Sequence, residues 1–141
     1  MTTTMSRAEF EKRLEDLCTR GGRREWPPKR EDQHVLLKSA TLMLEPQREY
    51  SEAELNEPLE AWVDQVGQIF VIDHVTLRRF LVDAGYVQRD LAGQRYRINA
   101  EKAAEMFDDD VASVDPVAVV AEARRRIEER KRAYLNKRKD E

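Results

Sequence analysis

The stretch DHVTLRRFLVDAGYVQRDLAGQRYRI, residues 73–98, decides the fold. It opens on Asp73, a residue type that suits the position just before a helix. Leu77, Phe80, Leu81 and Ala84 then recur at helical spacing, and Gly85 ends the run. Two alternating segments follow, residues 86–89 and 94–98, joined by Asp90-Leu91-Ala92-Gly93. Alternation on both sides of a short loop ending in Gly predicts a β-hairpin. Its second strand turns Gln94, Tyr96 and Ile98 inward, and Arg95 and Arg97 outward.

Working outward, Ser51 and Glu54 have capping-box spacing, and Leu55, Leu59, Trp62, Val63 and Val66 continue a helix to Gly67. Pro58 lies inside it and should kink or restart it. Residues 68–72 read as a short strand or a tight connector. Upstream, His34, Leu37, Ala40, Thr41 and Leu44 mark one side of a helix that starts near Glu31 and is broken by Pro46. The order is helix, short strand or turn, helix, connector, helix, hairpin. This predicts a mainly α chain with a small β-hairpin, a winged helix-turn-helix-like body over residues 26–99. In such a body the third helix enters the major groove and the hairpin is the wing.

Helical segments flank this body. Residues 1–25 read as an accessory N-terminal helix and linker. Ser6 and Glu9 start it, Ala8, Phe10, Leu14, Leu17 and Cys18 give it an apolar stripe, and Gly21-Gly22 end it. Trp26-Pro27-Pro28 is extended connector. Residues 100–141 read as a C-terminal helical extension. Asn99 caps a short helix, and Asp115-Pro116 starts a long basic one. Val120, Ala123, Ile127 and Tyr134 sit at heptad-like spacing there, with Arg130 interrupting the seam.

Charge divides the chain the same way. The whole carries −3, but residues 1–30 carry 8 basic and 5 acidic side chains, net +3. Residues 31–110 carry 8 and 17, net −9, and residues 111–141 carry 9 and 6, net +3. Cys18 is the only cysteine, which excludes an internal disulfide framework and a four-cysteine zinc site. Residues 1–6 are polar and lack the apolar run of a secretion signal, and no stretch approaches 18 apolar residues. The expectation is a cytoplasmic protein without a membrane segment.

Residues 73–98 also resemble a bacterial family, domain of unknown function 2087. The resemblance rests on Asp-His-x-Thr-Leu-Arg-Arg, the Leu-Val-Asp that follows and the Gly-x-x-Tyr of the hairpin. It extends back through REYSEAELNEPLEAW, residues 48–62, and covers roughly residues 26–99. It implies a regulatory context, because such domains occur alone and fused behind helix-turn-helix transcriptional regulators. It implies no defined activity.

Thr76, Arg78 and Arg79 on the third helix are the first candidates for DNA contact, since arginine pairs bidentately with guanine. The alternative has these arginines in ion pairs with Asp73, Asp83 or carboxylates of the preceding helix. Arg95 and Arg97 are candidates for holding phosphates, and the alternative there is a merely solvated strand face. Val75 and Val82 share the side of Arg78 and Arg79, which suggests that something covers that face. One expectation has the basic arm folding back, with Val117, Val120 and Ile127 over Val75 and Val82, within the chain or across a dimer. His34 reads as a satisfied core histidine and Cys18 as a small core hydrophobe. Asp73-His74 looks like a dyad on paper, but sequence neighbours do not face each other on a helix. No nucleotide-binding or hydrolase motif stands in the sequence, so neither catalysis, cofactor nor metal is expected.

The functional expectation is therefore a small DNA-binding or transcription-regulating module. The alternative is a protein-interaction module of the same fold that does not bind DNA. The partners expected are DNA, a second copy or a regulator protein.

Overall fold

The computed structural model describes residues 4–139, and every α-helix except α2 begins at a capping Ser, Asp or Asn side chain. The elements are α1 (Arg7–Thr19), α2 (Arg30–Thr41), α3 (Glu52–Gln65), α4 (His74–Asp83), β1 (Val87–Arg89), β2 (Tyr96–Ile98), α5 (Ala100–Ala104) and α6 (Pro116–Lys139), with a 3-10 turn at Asp109–Ser113 before α6. The chain is mainly α with one small antiparallel hairpin. Ser6 Oγ accepts the Glu9 N–H at 3.2 Å, and Asp115 Oδ1 accepts that of Ala118 at 3.2 Å. At α3 the box is reciprocal. Ser51 Oγ accepts the Glu54 N–H, while the Glu54 carboxylate accepts the Ser51 N–H at 2.9 Å. That backbone donor, with the Ser51 hydroxyl and Arg48, holds the Glu54 carboxyl down at about 2.

Helix α2 occupies the centre. Every side chain from His34 to Thr41 is buried, so its core is not one stripe but the whole circumference. Ser39 and Thr41 donate to carbonyls of α2 itself, and polar side chains of the helix are also engaged from outside. Arg13 of α1 pairs with Asp32 at 3.5 Å, Ser39 accepts the Trp62 indole N–H of α3 at 2.8 Å, and Lys38 lies 5.7 Å from the centre of the Phe107 ring. Burial lowers the Lys38 ammonium from its ordinary value. Such a helix is covered all round, by α1 and by side chains such as Trp62, Tyr86 and Phe107 from elsewhere.

The arms belong to the same core. Phe10, Leu14 and Cys18 of α1 and Val120 of α6 are inaccessible to solvent, and Phe10 meets the Phe107 ring edge-on at 5.6 Å. Burial pushes the Cys18 thiol up to about 12, as befits a core hydrophobe. The segment before α1 is also tied to the segment after α5. Met5 donates its N–H to Met106 and accepts that of Asp108, at 2.8 and 2.9 Å.

Pro58 does not break α3, which runs unbroken from Glu52 to Gln65. A proline removes one hydrogen bond, and the burial of Leu55, Leu59 and Trp62 along one side keeps the helix continuous. Residues 68–72 form a connector. Arg24 donates its N–H to Ile69 at 2.8 Å and accepts that of Val71 at 2.9 Å. The hairpin pairs Val87 with Ile98, Gln88 with Arg97 and Arg89 with Tyr96. Tyr50, just before α3, pairs with the other edge of Tyr96, donating to it at 2.7 Å and accepting at 2.9 Å. The segment ahead of α3 is thereby fixed to the hairpin.

His34 is the core histidine expected of it. Its Nδ1 lies 2.6 Å from the Tyr86 hydroxyl, and Arg30 donates to its Nε2 at 3.2 Å. Burial first, then Arg30 and Lys102, lower its pKa below 6.5. The unfolded chain therefore binds a proton that the folded chain refuses, and stability falls as pH drops through 6.5. Thermal denaturation midpoints between pH 7.5 and 5 should decline for the native chain. The decline should be smaller for His34→Gln; parallel curves for both would refute the assignment.

Candidate nucleic-acid interface

Helix α4 is anchored on its inner side by Leu77 and Leu81, which no solvent reaches. Asp73 caps it by accepting the Thr76 N–H at 2.7 Å, a contact that also lowers the Asp73 pKa. Its outer side carries Val75, Arg79 and Asp83 exposed, with Thr76 and Val82 half-buried. Val75 is 49% exposed, and α6 does not cover it. Instead α6 lies against α1 and, less extensively, α3. Arg126 pairs with Glu15 of α1 at 2.8 Å, and Arg124 donates to the Gln65 carbonyl at the end of α3 at 3.2 Å.

The expectation that the arm covers Val75 and Val82 is thus corrected: it folds back within the chain but lands elsewhere. Val120 is spent inside the core, Ile127 is half-buried at the cleft between α1 and α6, and Val82 packs against the core edge. The physical reason is that α1 offers a long apolar stripe, whereas the outer side of α4 offers two valines among charges. Beyond Ile127, residues 128–139 are exposed and carry six cations, with Tyr134 and Leu135 uncovered.

The two arginines of α4 part company. Arg78 is only 16% exposed along its side chain. It donates to Asn56 Oδ1 at 2.9 Å, pairs with Glu52 at 3.2 Å, and lies 6.0 Å from the centre of the Tyr96 ring. It clamps α3, α4 and the hairpin, so the ion-pair alternative describes it. Arg79 is exposed and has no ion-pair or hydrogen-bonding partner among the described residues. Arg95 and Arg97 are exposed on the hairpin. Glu52 and Asn56 stand four apart on α3, a spacing that puts both on one helical side. The expected carboxylate of the preceding helix is thus Glu52, and Asn56 is the partner the ion-pair alternative did not include.

Between the outer edge of α4 and the hairpin runs an open groove of about 650 Å³. Val82 and Tyr96 floor it, Arg89, Arg95 and Arg97 supply cations, and Glu49 and Asp90 supply anions. The hairpin turn leaves room for Arg89. Gly93 has φ +71°, and a Cβ there would fall on the Arg89 guanidinium. Asp90 accepts the Gln94 N–H at 2.8 Å, which lowers its pKa and closes the turn. Leu91 stands fully exposed at the tip. Five of the body's seventeen carboxylates, Glu52, Glu54, Glu57, Glu60 and Asp64, are exposed along α3, outside the groove's lining.

Asp73 and His74 diverge. The carboxylate of Asp73 is spent on its cap, and His74 Nε2 faces Glu60 of α3 at 3.6 Å. Among the described residues no group of three or more His, Cys, Asp or Glu side chains is placed to hold a metal ion. No helix among them is long and apolar enough to cross a membrane.

The body just described, from the linker before α2 to the end of the hairpin, coincides with a known sequence family. Residues 24–98 match the family described as uncharacterized proteins conserved in bacteria, domain of unknown function 2087. The chain belongs to that family. No curated protein and no solved structure matches it. The domain of unknown function 2087 thus contains the Arg78 clamp, the open side of α4 and the whole hairpin groove. It omits α1 and α6, which complete its core.

Proposed function

We propose that residues 24–98 are a winged helix-turn-helix module that binds duplex DNA and serves transcription regulation. The observation that carries this reading is the uncovered outer side of α4, with Thr76 and Arg79, beside a groove holding Arg89, Arg95 and Arg97. In this reading α4 enters the major groove, Arg79 reads a base edge, and Arg95 and Arg97 hold phosphates at the wing. Arg78 acts from within, fixing the angle between α4 and the wing. The acidic run along α3 repels phosphate, so affinity rests on the hairpin and on the six cations of the far half of α6.

Fluorescence anisotropy of the full chain with random-sequence duplexes, titrated with salt, tests this. Binding should weaken linearly in log–log form, with a slope of about −0.9 per phosphate contacted. Arg95→Ala with Arg97→Ala should flatten the slope by about 2. Arg79→Ala should reduce discrimination among sequences with little change in slope. No binding at low salt, or binding indifferent to salt, sinks the proposal.

A second reading, a protein-interaction module, is favoured by one observation. Val71 and Val75, four residues apart, are 46% and 49% exposed on the same approach to α4. Light scattering of the native chain and of Val75→Asp separates the readings. An oligomer that the aspartate dissolves, in a chain that ignores DNA, supports the second.

A further inference from the structure

A separate cavity of about 410 Å³, apolar over most of its wall, opens between the start of α2, the α4–β1 junction and α5. Arg30, His34, Tyr86, Lys102, Glu105 and Met106 line it. Its floor is a hydrogen-bonded chain whose direction is fixed. The Arg30 Nε–H can only donate, so His34 Nε2 accepts and the imidazole proton is assigned to Nδ1. Nδ1–H then donates to the Tyr86 oxygen at 2.6 Å. The phenol's own proton is left without a protein acceptor among the described residues. Yet Tyr86 is 1% exposed, and a buried hydroxyl proton normally finds a partner. Lys102 pairs with Glu105 at 3.2 Å, and Glu31 at the rim is engaged by Arg13 at 3.2 Å. Neither acid answers the Arg30 guanidinium, whose terminal nitrogens stay available. The remaining wall is Met106, the Tyr86 ring and the aliphatic stem of Lys102.

We propose that this cavity binds a small organic carboxylate, its oxygens accepting from the Tyr86 hydroxyl and the Arg30 guanidinium and its apolar body lying against Met106. Lys102 adds positive charge from α5. The place is one from which a ligand can act on the rest of the molecule. The Lys102 stem packs over Gly85, where a Cβ would meet it at 3.2 Å, and Gly85, at φ +82°, joins α4 to Tyr86 and the hairpin. Tyr86 also accepts the Asn99 N–H at 2.9 Å, tying the junction to the start of α5. Occupancy would therefore brace the α4–hairpin corner. The binding itself is independent of whether the chain contacts DNA.

Calorimetric titration of the full chain with benzoate, and with benzamide as the uncharged isostere, tests it. Benzoate should bind, and benzamide at least about tenfold more weakly, because hydrogen bonds to a charged group are the stronger kind. Tyr86→Phe keeps the ring and removes the donor, and it should weaken benzoate about tenfold or more. Lys102→Gln, on a half-exposed residue, should weaken it less and carries the comparison if Tyr86→Phe melts early. The proposal is overturned by equal affinity for benzamide, by variants that bind benzoate like the native chain, or by no heat up to about 10 mM.

Discussion

A chain trimmed to residues 26–99 should not fold. The family match suggests that piece as a natural unit, but the core crosses both of its boundaries. Cutting at 26 removes Phe10, Leu14 and Cys18, and cutting at 99 removes Phe107, Val111 and Val120, each buried in the intact chain. Their loss bares α2, whose side chains from His34 to Thr41 need cover on every side. A domain is stable by only about 5–15 kcal/mol in total. Truncating one buried leucine to alanine costs about 2–5 kcal/mol. Six such residues therefore exceed the margin. The fragment should show no cooperative thermal transition by circular dichroism. In the intact chain, Leu14→Ala alone should lower the unfolding free energy by about 2–5 kcal/mol in a urea titration. A cooperative transition in the fragment, at a midpoint near that of the full chain, would show that α1 and α6 are accessories after all.

Why this was half legible in the sequence can be read from particular residues. Local signals spoke plainly. Ser51 with Glu54, Asp73, Asn99 and Asp115-Pro116 each fix a helix start through contacts within four residues, and each stands at one. The hairpin was equally local, with Asp90 and Gly93 closing its turn. What depended on distant partners was not legible. The stripe of Phe10, Leu14 and Cys18 announces a buried side but not which helix buries it. Lys38 looks like a surface residue until the fold buries it beside the Phe107 ring. Arg78 and Arg79 are adjacent and identical in type. Only the position of Glu52 and Asn56 across the α3–α4 packing separates a clamp from a free guanidinium. The net charge of −9 over residues 31–110 is a sum that does not place its charges: five of the seventeen carboxylates lie along α3, while Glu49 and Asp90 stand in the hairpin groove.

Trp62→Ala should be among the most damaging single changes, and its partner Gly67→Ala should be damaging only while the tryptophan is there. Trp62 admits no solvent and joins four pieces of the chain. Its indole N–H donates to Ser39 of α2, its ring meets Trp26 of the linker at 6.2 Å, and Trp26 in turn lies 5.8 Å from Phe70 and 5.4 Å from Phe80 of α4. Removing a buried tryptophan side chain costs about 3–5 kcal/mol. Gly67 follows directly under that ring. A Cβ there would fall 2.3 Å from its nearest carbon, and the ring is enclosed and cannot swing aside. Its backbone is not in the left-handed region, so the penalty is overpacking alone, about 1–3 kcal/mol. The two costs share one space. In the double variant the added methyl occupies the hollow left by the indole, so the total should stay near that of Trp62→Ala alone. Equilibrium urea denaturation of the native chain, both single variants and the double variant gives the coupling directly. Strictly additive losses would mean that Gly67 is required for some reason other than the ring above it. A coupling near the full cost of Gly67→Ala would assign that glycine to the close approach of Trp62. It would also tie the spacing between α3 and the connector into α4, on which the Arg78 clamp depends, to one aromatic contact.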